Sequence, residues 1–142
     1  MTRRRADPRR RAAYAGLLVL TIAVGLGWRM LPLGLSPFWF KYGGSALWAM
    51  ALYWLIAGCF PRYSSAGLAA GTAVLAAVLE FSRLWHLSTL DAFRLTLAGR
   101  LLLGRYFSLK NIVAYWVGIG LAAALDRWLV RRASLEAERK TA

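Results

Sequence analysis

The stretch Ala66-Gly67-Leu68-Ala69-Ala70-Gly71-Thr72-Ala73-Val74-Leu75-Ala76-Ala77-Val78-Leu79-Glu80-Phe81-Ser82-Arg83-Leu84-Trp85-His86 decides how this chain is read. From Ala66 to Leu79 it carries no charge, and a carboxylate, a guanidinium and an imidazole then follow within seven positions. About 20 apolar residues, wound as a helix, match the ~30 Å hydrocarbon core of a bilayer. Ionisable residues at membrane depth face a bundle interior, a water-filled cavity or the headgroups, and they are candidates for function.

Working outward, charge-free runs keep alternating with charge clusters. The chain has 142 residues, 59% of them hydrophobic, which suits one polytopic membrane domain better than a soluble domain with charge spread on a helical period. Seven Trp and six Tyr fit the same reading, because several sit near expected span ends, where amphipathic rings prefer the headgroup region. The expected architecture is an all-α bundle of four transmembrane helices. The spans are about Ala12–Leu31, Tyr42–Phe60, Ala66–Trp85 and Asn111–Val130. Basic residues 1–11 form a cytoplasmic tail, residues 12–130 the membrane domain and residues 131–142 a second charged tail. The first span is expected to be a retained helix, not a signal peptide, since no clear small-x-small cleavage site precedes Arg29.

Leu31-Pro32-Leu33-Gly34-Leu35-Ser36-Pro37 breaks the first helix, and Phe38-Trp39-Phe40 reads as an aromatic connector. Gly67 and Gly71 form a G-x-x-x-G pair, the kind of surface on which a membrane partner or a second copy could pack closely. From His86 to Lys110 no charge-free run is long enough to span. Leu87, Leu90, Arg94, Leu97 and Leu101 recur at steps of three and four, which suggests an amphipathic interfacial or re-entrant segment. Asp126 and Arg127 are expected at the exit of the fourth span, with Arg131 and Arg132 ending it in water.

With four spans, 12 of the 19 Lys and Arg fall on the side of the termini: Arg3, Arg4, Arg5, Arg9, Arg10, Arg11, Arg62, Arg127, Arg131, Arg132, Arg139 and Lys140. The rule that cytoplasmic loops are the more positive then places both termini in the cytoplasm of a bacterial inner membrane. The formal net charge of +13 does not point to nucleic acid, because many Arg flank apolar spans and no aromatic-interleaved basic surface remains. One Cys (Cys59) and one His (His86) supply neither an intrachain disulfide nor a cysteine- or histidine-rich metal site, and no cofactor is expected.

The chemistry-bearing residues are few. Glu80 is the only acid in the first ninety residues apart from Asp7, and a helix puts Arg83 on its face. A Ser82–His86–Glu80 triad fails, because Ser82 and Glu80 point to different faces. There is no phosphate-cradling glycine loop. No catalytic residue is therefore assigned. The expected site is a ligand-binding one built from Glu80, Arg83, Arg94 and Asn111, with Ser45 nearby. Arg100, Arg105 and Lys110 would contact an anionic headgroup, since arginine takes phosphate bidentately. A membrane enzyme using Glu80 as base on a lipid-linked substrate is the alternative, and a structural subunit of a membrane complex is a third reading.

Lys41-Tyr42-Gly43-Gly44-Ser45-Ala46-Leu47-Trp48-Ala49, Glu80-Phe81-Ser82-Arg83-Leu84, Arg94, Leu103-Gly104-Arg105-Tyr106-Phe107 and Ala114-Tyr115-x-x-Gly118 together resemble one family of small bacterial membrane proteins, domain of unknown function 2809. That family is itself similar to the VanZ-like proteins. The resemblance implies a multi-helix inner-membrane protein with no established activity, and by analogy a place in the cell envelope. Against the family pattern, Ser45 and Asn111 stand where Asp is common, and Arg83 where Gln is common. The resemblance thus implies that only Glu80 is kept from any carboxylate cluster, with Arg83 available to pair with it.

Overall fold

The computed structural model describes residues 8–96, 99 and 107–141. Five α-helices are described: α1 (Pro8–Met30), α2 (Pro37–Cys59), α3 (Ser65–Phe81), α4 (Ser88–Leu95) and α5 (Leu109–Thr141), with a 3₁₀ turn at Ser82–Leu84. No strand occurs among the described residues.

Gly34, at φ 62°, turns the chain between α1 and α2 in the left-handed region that favours glycine. α2 then begins earlier than expected. Ser36 stands at its N-cap and Pro37 in its first turn, where the missing proline N–H costs no helical bond. Phe38-Trp39-Phe40 is accordingly the first turn of α2 and not a connector. α3 starts under a side-chain cap, with Gly67 N–H donating to Ser64 Oγ at 3.1 Å.

α2 is the centre of the bundle, packed against α1, α3 and α5. It runs antiparallel to α1: near one end Trp28 Nε1 donates to Phe40 O at 3.3 Å, and near the other a Cβ on Gly58 would stand 3.9 Å from Tyr14 Cβ. The core is assembled from Tyr14, Ala49, Tyr53, Trp54, Ala76 and Tyr115 with their neighbours. α2 and α5 approach closely at Gly118, where any Cβ would stand 2.8 Å from the Ala46 carbonyl carbon and closer still to its oxygen. The Gly67–Gly71 face makes no such approach. A Cβ on Gly71 would meet nothing within 4 Å, because α3 turns Leu68, Thr72, Ala76 and Glu80 inward instead.

Three helical stretches are long and apolar enough to cross a membrane: Pro8–Met30, Ser65–Leu84 and Leu109–Glu136. α2, of similar length, carries Trp39, Trp48, Trp54, Tyr42, Tyr53 and Lys41 and is not among the three. The outward faces are apolar too, with Val19, Ile22, Val24, Val74, Val78, Val117 and Leu121 all exposed. Contiguous apolar surface of this kind is rare on soluble monomers and ordinary against lipid.

Two further expectations are corrected. α5 does not stop at Val130 but continues through Arg131 and Arg132 to Thr141, roughly 50 Å of helix at 1.5 Å per residue. Asp126 is not at a solvated exit but buried. It falls on the same helical stripe as Tyr115, Ile119, Ala122 and Ala123, which face the core. Of the connector, α4 is helical, while most of the remainder, including Leu97, Leu101, Gly104, Arg100 and Arg105, lies outside the described residues.

Candidate functional site

Glu80 sits on the last turn of α3, on the stripe that α3 buries, and its side chain is fully enclosed (0% exposed). Both carboxylate oxygens are occupied. Oε1 accepts from the Ser108 backbone N–H at 2.8 Å and from Asn111 Nδ2 at 3.0 Å. Oε2 accepts from Tyr115 Oη at 2.6 Å and lies 2.6 Å from Arg83 Nη1. Arg83 reaches it because residues three apart share a helix face, and its Nη2 also donates to Tyr115 Oη at 3.1 Å. Ser45 Oγ approaches Asn111 Oδ1 at 3.4 Å, bringing α2 to the edge of the cluster, and Trp48 packs its ring on Tyr115 with centroids 5.3 Å apart.

Glu80, Arg83, Asn111 and Ser45 are thus brought together, and Tyr115 and the Ser108 N–H join them. A buried ion pair offsets its desolvation only when additional hydrogen bonds satisfy the remaining donors and acceptors, and this one is closed in that way. A carboxylate with four donors already on it holds a charge in place. To act as a base it would first have to release one of them.

Arg94 is not part of this cluster. It is buried beneath the 3₁₀ turn, donating to Ser82 O at 2.7 Å, to Trp85 O at 2.9 Å and to Asp91 Oδ1 at 3.0 Å. These bonds tie α4 to the turn that follows α3. Its Nε, also buried, has no hydrogen-bond partner among the described residues. His86 faces Asp91 at 3.4 Å and is largely exposed. Lys110 is exposed on the first turn of α5. Arg100 and Arg105 lie outside the described residues.

A second buried acid was missed by sequence reasoning. Asp126 (1% exposed) accepts from Tyr14 Oη at 2.7 Å through Oδ1, and from Tyr53 Oη at 2.8 Å and Ser65 Oγ at 2.6 Å through Oδ2. Arg10 stands 3.8 Å off and donates through Nε to Tyr14 Oη at 2.7 Å. Four helices meet on this one carboxylate. The available signal was its spacing of three and four from the core-facing residues of α5.

The two clusters lie at opposite ends of the bundle. Asp126 is met by the first two turns of α1 and the first turn of α3, and Glu80 lies on the last turn of α3 and is met by the start of α5. Among the described residues, no group of three or more His, Cys, Asp and Glu is placed to hold a metal ion.

The family model described as a protein of unknown function (DUF2809) matches residues 35–119. No solved structure matches the chain. The match takes in all of α2, α3 and α4 and the first third of α5, hence the whole Glu80 cluster. It ends before Asp126 and excludes α1. Ser45, Arg83 and Asn111, the three positions named above as departures from the family pattern, all lie in or at the edge of the Glu80 cluster. The chain belongs to this family of unknown function.

Proposed function

We propose that this member of the DUF2809 family is a multi-pass protein of the bacterial inner membrane whose outer end binds the headgroup of an anionic lipid or lipid-linked envelope precursor. In this reading α1, α2, α3 and α5 all cross the bilayer and both termini are cytoplasmic. α2 returns the chain along the length of α1, so it crosses if α1 does. A place in the cell envelope, as the resemblance to VanZ-like proteins would imply, belongs to the same proposal.

The observation that carries it is the charge balance of the end where Glu80 lies. In the four-span reading of the sequence that side is assigned seven Lys or Arg (Arg29, Lys41, Arg83, Arg94, Arg100, Arg105 and Lys110) against two acids. One acid, Glu80, is closed inside on Arg83, and the other, Asp91, is held by Arg94. An external face has no need of such an excess for orientation, which favours cations on the cytoplasmic side. Glu80 and Arg83 act as positioning residues: they fix the end of α3 to the start of α5, where Lys110 stands. Arg100, Arg105 and Lys110 supply the headgroup contacts, and the enzyme reading loses ground because Glu80 has no vacant oxygen.

Two experiments test the parts separately. Cys59 is exposed at the end of α2 and is the only cysteine in the chain. A membrane-impermeant maleimide should label it in inverted vesicles and not in intact spheroplasts; labelling in spheroplasts would refute the orientation. For the headgroup site, detergent-solubilised protein is titrated with phosphatidylglycerol and phosphatidylcholine under native mass spectrometry. Cations near an anionic headgroup are worth about 1 kcal/mol each. The triple variant Arg100→Gln, Lys110→Gln, Arg105→Gln should therefore lose about a hundredfold in preference for phosphatidylglycerol. An unchanged preference would end the proposal.

A further inference from the structure

Away from the Glu80 cluster, α1 and α2 leave a cavity of about 330 Å³ between them, open along the side of the bundle. Its walls are apolar, with Leu18, Leu26, Leu47 and Leu55 among them, and it exists because Gly25, Gly44 and Ala51 put no bulk into the seam. A Cβ on Gly25 would find its nearest neighbour, Leu47 Cβ, at 3.9 Å. Thr21 adds no polar demand, since its hydroxyl donates to Leu17 O of its own helix at 2.7 Å.

One charge lines the cavity. Arg29 lies at its outer end with Nε 3.8 Å from where a Gly44 Cβ would stand, and no ion pair or hydrogen bond holds its guanidinium among the described residues. From Leu18 to Arg29 the slot runs about 16 Å at 1.5 Å per residue. That is about half of a ~30 Å hydrocarbon core, or one leaflet. An apolar slot one leaflet deep with a single cation at its mouth is complementary to an amphiphile with one charged end.

We infer that the α1–α2 groove seats one acyl chain of an outer-leaflet anionic phospholipid whose phosphate rests on Arg29. The inference rests on the reading of the protein as membrane-spanning with Arg29 outermost, and it uses none of the connector cations. Trp48, which lines the groove and packs its ring at a tilt against Tyr115, forms the wall between this seat and the Glu80 cluster.

The test is the same native mass spectrometry titration, run on Gly25→Leu and Arg29→Gln. Gly25→Leu fills the slot from a helical position whose Cβ would only touch Leu47 Cβ, at 3.9 Å, and should remove one bound lipid, of either headgroup, with at least a tenfold loss of affinity. Arg29→Gln should keep that lipid and lose its preference for phosphatidylglycerol by about fivefold to tenfold. Gel filtration and circular dichroism report folding; if Gly25→Leu does not fold, Ala51→Met fills the slot from α2. Wild-type lipid occupancy in a folded groove-filling variant overturns the inference, as does an unchanged headgroup preference in Arg29→Gln. If the groove variant is silent while the connector triple variant loses its preference, the seat falls and the headgroup site stands. The reverse pattern supports the seat and removes the headgroup site.

Discussion

The two buried acids of this bundle are enclosed to nearly the same degree and compensated in different ways. Glu80 has a guanidinium in contact, 2.6 Å away on the same helix, and Arg83 is itself only 9% exposed. Asp126 is held by three neutral hydroxyls, from Tyr14, Tyr53 and Ser65, and its nearest cation, Arg10, is 31% exposed and 3.8 Å distant. Glu80 organises one exit, where α3, the connector and α5 meet. Asp126 draws on residues 112, 73 and 61 positions away and so ties the whole bundle. Equal burial therefore does not mean equal role: one end is a closed staple, and the other is a rigid platform beside an excess of cations.

The largest expected effect breaks the staple. Asp126→Ala removes the common acceptor of three buried hydroxyls, and hydrogen bonds to a charged group are each worth about 1.5–3 kcal/mol. The loss should reach about 4 kcal/mol or more, measured as reversible unfolding in mixed micelles, with helix content retained in the loosened state. If Asp126→Ala is as stable as wild type, the four-helix junction is not what holds the bundle.

A middle-sized effect sharpens the contrast in compensation. A double-mutant cycle of Glu80→Gln with Arg83→Gln should give a coupling of about 2–3 kcal/mol, near the top of the range for residues in one network. The matching cycle of Asp126→Asn with Arg10→Gln should stay below about 1 kcal/mol, as for a partly exposed pair at long distance. Equal couplings would erase the distinction drawn between the ends. The smallest effect is expected at Gly71→Leu, where open space surrounds the new side chain. Its stability should lie within about 0.5 kcal/mol of wild type. A large loss there would mean that a partner or second copy covers this face.

Much of this was legible in the chain. The apolar runs gave the helices, because hydrophobic length and breaker residues are local properties, and Glu80 with Arg83 is a local i, i+3 pair. The aromatic start of α2 was misread, since Phe38-Trp39-Phe40 follows a proline that begins a helix as readily as it ends one. The Asp126 junction was not legible, because three of its four helices contribute hydroxyls that carry no charge signal and stand far apart in sequence. Within the chain, Gly67–Gly71 packs no described helix closely: small residues permit a close approach but do not compel one, and inside the bundle the approach occurs at Gly118. Arg94 matched in type but serves the α3–α4 turn, which no spacing rule distinguishes from the Glu80 site.

The central claim is that the Glu80 end, and not the Asp126 end, serves ligand recognition. Native mass spectrometry of Glu80→Gln and Asp126→Asn, each a single buried charge removed without loss of bulk, compares the two directly. Preference for phosphatidylglycerol over phosphatidylcholine should fall about tenfold, or about 1.4 kcal/mol, in Glu80→Gln and stay within about twofold of wild type in Asp126→Asn. A preference unchanged in Glu80→Gln, or lost equally in both variants, would contradict the account.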